Sequence, residues 1–76
     1  MFVAFEPKGA AMKLEEVIKK NLGFQDCYGL VVKYEDKVEV HWWKEDDKVI
    51  RKFFAEISIS KPLIFSYLDG HLELSA

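Results

Sequence analysis

Cys27, His41 and His71 are the residues whose types could hold a transition metal, and Cys27 alone offers a sulfur nucleophile. A thiolate and two imidazoles are most of a zinc shell. Zinc sites, however, are usually built from closely spaced ligand pairs, and these three lie 14 and 30 residues apart with no Cys-x-x-Cys among them. No metal is expected. Cys27 sits between Asp26 and Tyr28. A reactive thiolate needs a cation, a base or a helix start beside it, and chain neighbours rarely point at one another. An inert, buried thiol is the expectation.

Two further stretches fall short of chemistry. Lys8-Gly9-Ala10-Ala11 opens a helical pattern as a phosphate-binding turn would, but it has one glycine and no Gly-x-Gly-x-x-Gly or Gly-Lys-Ser. Glu45-Asp46-Asp47 is an acidic triplet whose simplest role is a turn or helix start. No convergent acid–base set is present, so the chain reads as a non-enzyme without a cofactor.

His41-Trp42-Trp43-Lys44 mixes aromatic and basic side chains. Bases stack on tryptophan while lysine meets phosphate, which is how single-stranded nucleic acids are held. Against this stand one arginine in the whole chain, a net charge of −2, and Glu35 and Glu39 on the same expected face. Single-stranded nucleic-acid binding is therefore the alternative reading, not the leading one.

The elements that must position these residues fit in 76 residues, half of them apolar and 14% aromatic. That is enough for a single compact domain, residues 1–76. A lone cysteine forms no internal disulfide and points to a reducing, cytoplasmic setting. The N-terminal residues lack the basic start and long apolar stretch of a signal peptide, and no apolar run is long enough for a membrane span.

Phe2–Phe5 reads as a short strand ended by Pro7-Lys8-Gly9. Ala10–Leu22 reads as a helix with Met12, Leu14, Val17, Ile18 and Leu22 on one stripe, stopped by Gly23. Phe65–Leu68, Asp69-Gly70 and His71–Leu74 form a hairpin with a two-residue turn, pairing Tyr67 with Leu72 and Phe65 with Leu74. Residues 46–60 admit two readings. Val49, Ile50, Phe53, Phe54 and Ile57 fill one helical arc, whereas Val49, Phe53, Ala55, Ile57 and Ile59 share a strand face spoiled only by Arg51. The helical reading is preferred. The class is α+β, a small antiparallel sheet with one or two helices packed on one face. The order is β-α-β-β-α-β-β, or β-α followed by a β-meander.

Tyr28–Trp43 reads as a hairpin with a three-residue loop, Glu35-Asp36-Lys37. This sets Tyr34 opposite Val38, Val32 opposite Val40, Leu30 opposite Trp42, and Lys33 opposite Glu39. Leu30, Val32, Tyr34, Val38, Val40 and Trp42 then face the helix. Val31, Lys33, Glu35, Glu39, His41 and Trp43 face away, since adjacent strand residues point to opposite sides. One helix of about 13 residues is roughly 20 Å long and covers one side of a small sheet. The expectation is a protein–protein interaction module: an inhibitor, an adaptor or a homodimeric subunit. Trp43 would be the anchor, Val31 and His41 would lie beside it, and Lys33 and Glu39 would form a polar rim.

Overall fold

The computed structural model describes residues 5–23 and 25–75, with residues 5–12 through their backbone alone. Helix α1 (Phe5–Leu22) precedes five strands: β1 (Cys27–Lys33), β2 (Val38–Trp43), β3 (Arg51–Phe54), β4 (Leu63–Leu68) and β5 (His71–Ser75). Every pairing is antiparallel, and the order across the sheet is β3-β2-β1-β4-β5. One helix and one antiparallel sheet make this an α+β domain.

The helix begins earlier than its periodicity suggests. Phe5, expected in a strand, opens it; residues 2–4 of that expected strand lie outside the described residues. Pro7 falls in the first turn, where a backbone N–H has no intrahelical acceptor, so it does not end the helix. Leu14, Ile18 and Leu22 are buried at four-residue spacing, and Gly23 closes the helix as expected. Its φ is +68°, and its N–H donates to the Lys19 carbonyl at 3.0 Å.

The β4–β5 hairpin has the expected register, with Leu68 opposite His71, Tyr67 opposite Leu72 and Phe65 opposite Leu74. Asp69 and Gly70 both take positive φ, 52° and 76°, the mirror-image turn that suits the twist of two strands. The Asp69 N–H donates to Asp26 Oδ1 at 3.0 Å, tying this turn to the start of β1.

The β1–β2 hairpin differs from expectation by one residue. Tyr34 N–H donates to the Lys37 carbonyl at 2.9 Å, so Glu35-Asp36 alone form the loop. Shortening the loop by one residue shifts the register by one and turns β1 over. Val31 pairs with Val40, Gly29 with Trp42, and Lys33 with Val38 rather than Glu39. Cys27, Gly29 and Val31 therefore share the helix side with Val38, Val40 and Trp42. Packing against β4 holds them there, with Cys27 opposite Tyr67, Gly29 opposite Phe65 and Val31 opposite Leu63. Gly29 leaves space for the Phe65 ring: a Cβ at that position would meet Phe65 Cζ at 2.6 Å and the His41 carbonyl oxygen.

Residues 46–60 contain no helix. Asp47 binds a turn: its N–H donates to the Lys44 carbonyl at 3.1 Å, its carboxylate accepts from the Val49 N–H at 2.9 Å, and Arg51 pairs with it at 2.9 Å. Arg51–Phe54 then add to the edge of β2. Phe53, Ala55, Ile57 and Ile59 alternate toward the core, as the strand reading required, but Val49, expected on that same face, is 54% exposed in the turn before β3. Arg51 faces the same way without being buried, since its guanidinium lies 5.3 Å from the centre of the Trp42 ring. Residues 55–62 carry the chain across the helix side, from the β3 edge to β4, and bury Ile59 on the way. The core thus lies between α1, this strap and one face of the sheet, and is made of Leu14, Ile18, Val31, Val40, Trp42, Leu63, Phe65 and Tyr67 with their neighbours.

Candidate interaction face

Among the described residues, no helix lies on the other face of the sheet. Strand alternation and the pairings place its side chains in rows. Phe54, Glu39 and Val32 form the first. Lys52, His41, Leu30, Ile64 and Ser75 form the second. Trp43, Tyr28, Ser66 and Glu73 form the third, and Leu68 and His71 the last. Phe54 is 70% exposed and Ile64 57%, while Tyr28, Leu30, Val32, His41 and Trp43 are half-buried among one another. Tyr28, Trp43, Ile64, Ser66, Glu73 and Ser75 surround a shallow cavity of about 330 Å³.

Glu39 is the exception on this face, a carboxylate only 5% exposed. Its flanks are Val32 on β1 and Phe54 on β3. His41 Nε2 donates to its Oε1 at 3.1 Å, and Lys37 Nζ stands 3.9 Å from Oε2. The same ammonium lies 5.2 Å from the Tyr34 ring centre and 5.6 Å from that of Phe54. The hydrogen bond from His41 is the main cause that holds the Glu39 pKa below its usual value. It outweighs desolvation and is helped by the charges of Lys52 and Lys37.

At the opposite end, the Tyr28 hydroxyl donates to Glu45 Oε1 at 2.9 Å. That bond, followed by the charge of Glu45, raises the phenol's pKa. It also ties the loop after β2 to β1 beside Trp43. Together the two clusters fix the ends of the face, and neither places a nucleophile beside a base.

The residues expected to form the site separate into two groups. Trp43, His41 and Glu39 share the bare face, as β2's alternation predicts. Val31 does not: it is 0% exposed, in the core, because the shorter loop turns β1 over. Lys33 follows Val31 to the helix side, where it is exposed beside a groove of about 780 Å³ between the β1–β2 turn and residues 55–59. In their place come Tyr28, Leu30, Val32, Phe54 and Ile64. The signal for them is in the sequence: β1 is apolar at successive positions, so both its faces are apolar, and Phe53-Phe54 in a strand must point to opposite sides.

The fold also keeps the soft ligands apart. Cys27 is buried on the helix side, whereas His41 and His71 lie on the bare face with β1 and β4 between their strands. Burial, with the charge of Asp26 adding to it, pushes the Cys27 thiol up to about 11. Among the described residues no helix is long and apolar enough to cross a membrane.

No family model, curated protein or solved structure matches this chain.

Proposed function

We propose that this chain is a non-enzymatic interaction module that binds another protein, or another copy of itself, through the bare face of its sheet. One observation supports this above the others: Trp43, Tyr28, Leu30, Val32 and Ile64 form a contiguous apolar surface that α1 and the strap leave bare, with Phe54 beyond Glu39 at its margin. A patch of this kind on a small domain is characteristic of an interface. Trp43 and Tyr28 are the anchors, stiff aromatic side chains that lose little entropy on being covered. His41 and Glu39 supply polarity already satisfied within the chain. The free, buried Cys27 is in keeping with a reducing compartment.

Single-stranded nucleic acid is the competing occupant, since Tyr28 and Trp43 are neighbours across two strands. The face offers Lys52 and Lys37 against Glu39 and Glu73, so it has no net positive field to gather phosphates.

The test compares the wild-type chain with Trp43→Ala and Ile64→Lys. Both variants are expected to unfold cooperatively while losing whatever association the wild type shows in sedimentation. Unfolding of the chain by Trp43→Ala, or association untouched by Ile64→Lys, would remove the proposal.

A further inference from the structure

We propose that the occupant of the bare face is a second copy of this chain, related by a two-fold axis parallel to the strands. Each copy's β3 then lies over the other's β5. This rests on the reading of the face as an interface and adds to it the partner and the orientation.

Area is the first argument. Five strands about 4.8 Å apart, with rows of paired residues about 6.8 Å apart, make a face of roughly 24 by 20 Å. With its side-chain relief, such a face approaches the ~800 Å² per partner of a standard interface. Two antiparallel sheets pack face to face with their strands within about 30° of one another. A two-fold contact needs only one self-complementary surface.

Charge is the second argument, and it selects the axis. The middle strand of the face is apolar, with Tyr28, Leu30 and Val32. The exposed charges borne by the strands sit at its margins, Lys52 on β3 and Glu73 on β5, while Lys37 reaches in from the β1–β2 turn at one end and is paired with Glu39. An axis parallel to the strands brings each copy's Lys52 toward the other's Glu73, twice, and sets β1 on β1. The two residues stand one row apart, a gap of about 7 Å that a lysine side chain spans. An in-plane axis across the strands would instead set Lys52 on Lys52 and Glu73 on Glu73. Like charges facing one another disfavour that arrangement.

Glu39 is the third. A carboxylate enclosed at the end of a dry contact is costly unless paired. Here it is already paired with His41 and Lys37 within its own chain, so covering it orphans no charge.

Sedimentation equilibrium of the wild type, Lys52→Glu, Glu73→Lys, the double exchange and Ile64→Lys tests this. The wild type should dimerise. Each single charge reversal should weaken the dimer by about tenfold, the double exchange should restore it, and Ile64→Lys should abolish it. A dimer broken by Ile64→Lys but indifferent to both charge reversals keeps the face and overturns the orientation. A wild type that stays monomeric into the high micromolar range overturns the second copy and leaves the face to another protein. Tryptophan quenching by an oligonucleotide that weakens steeply with salt would overturn both.

Discussion

Glu39 and His41 stand two residues apart on β2 and are joined by a 3.1 Å hydrogen bond on the sheet face that α1 leaves bare. In a strand, residues two apart point the same way, so the pair follows from spacing alone. Its consequence is a titration with a definite sign. The folded pKa of Glu39 lies below the ordinary 4.5, so its contribution to stability is complete above that value and disappears as pH falls through the lowered one. Wild type should therefore exceed Glu39→Gln in denaturation midpoint at neutral pH, with the gap closing as the solution is acidified below 4.5. A gap that stayed constant down to strong acid would show that the carboxylate is not held by this pair.

Gly29 carries the largest penalty for a small change. It lies beneath the Phe65 ring, and an added methyl would meet that ring at 2.6 Å and a backbone carbonyl that has little room to move. Gly29→Ala is expected to lower stability by about 3 kcal/mol, the upper range for overpacking, in urea unfolding. Gly70→Ala, where nothing approaches, should lose less, and only through its positive φ. Equal losses at the two glycines would contradict the packing described for β1 and β4.

Tyr67 points the other way. It is fully buried opposite Cys27, and its hydroxyl has no hydrogen-bond partner among the described residues. A buried hydroxyl without a partner costs stability that phenylalanine would not lose. Tyr67→Phe should leave the fold unchanged and raise stability by about 1 kcal/mol in the same urea titration. A clear loss would mean that the hydroxyl is bonded in solution.

How much of this was legible in the sequence differs from element to element. The β4–β5 hairpin was readable to the residue, because Asp-Gly demands one turn geometry and the turn fixes the register. Leu14, Ile18 and Leu22 of the helix stripe and its Gly23 stop were readable from local spacing, while Val17 is only half-buried and the Met12 side chain lies outside the described residues. β2 gave its faces correctly, placing Trp43, His41 and Glu39 together. β1 did not, because Cys27–Val32 is apolar or neutral at every position and either face suits a core. Partners on β4, distant in the chain, make that choice, and Val31 went to the wrong side with them. Residues 46–60 failed differently. Their apolar spacing satisfies a helical arc and a strand face at once, and the open edge of β2 decides between them. Arg51 looked like an error in the strand reading only because the ring of Trp42 beneath it lies on a different strand.

The two adjacent tryptophans separate core from face. Trp42 is 8% exposed and packed among core residues, so Trp42→Ala should cost about 3–5 kcal/mol. Trp43→Ala, half-buried on the bare face, should cost about 1–2 kcal/mol in thermal or urea unfolding. Comparable losses would place both indoles in one core.

Iodide quenching of Trp42→Phe and Trp43→Phe, at a dilution where the sedimenting species is a single chain, tests the bare face most directly. The indole of Trp43, left alone in the first variant, should be quenched several-fold more strongly than that of Trp42, left alone in the second. Equal protection of the two in the monomer would mean that the chain covers its own sheet on both sides, and the interaction surface would not exist.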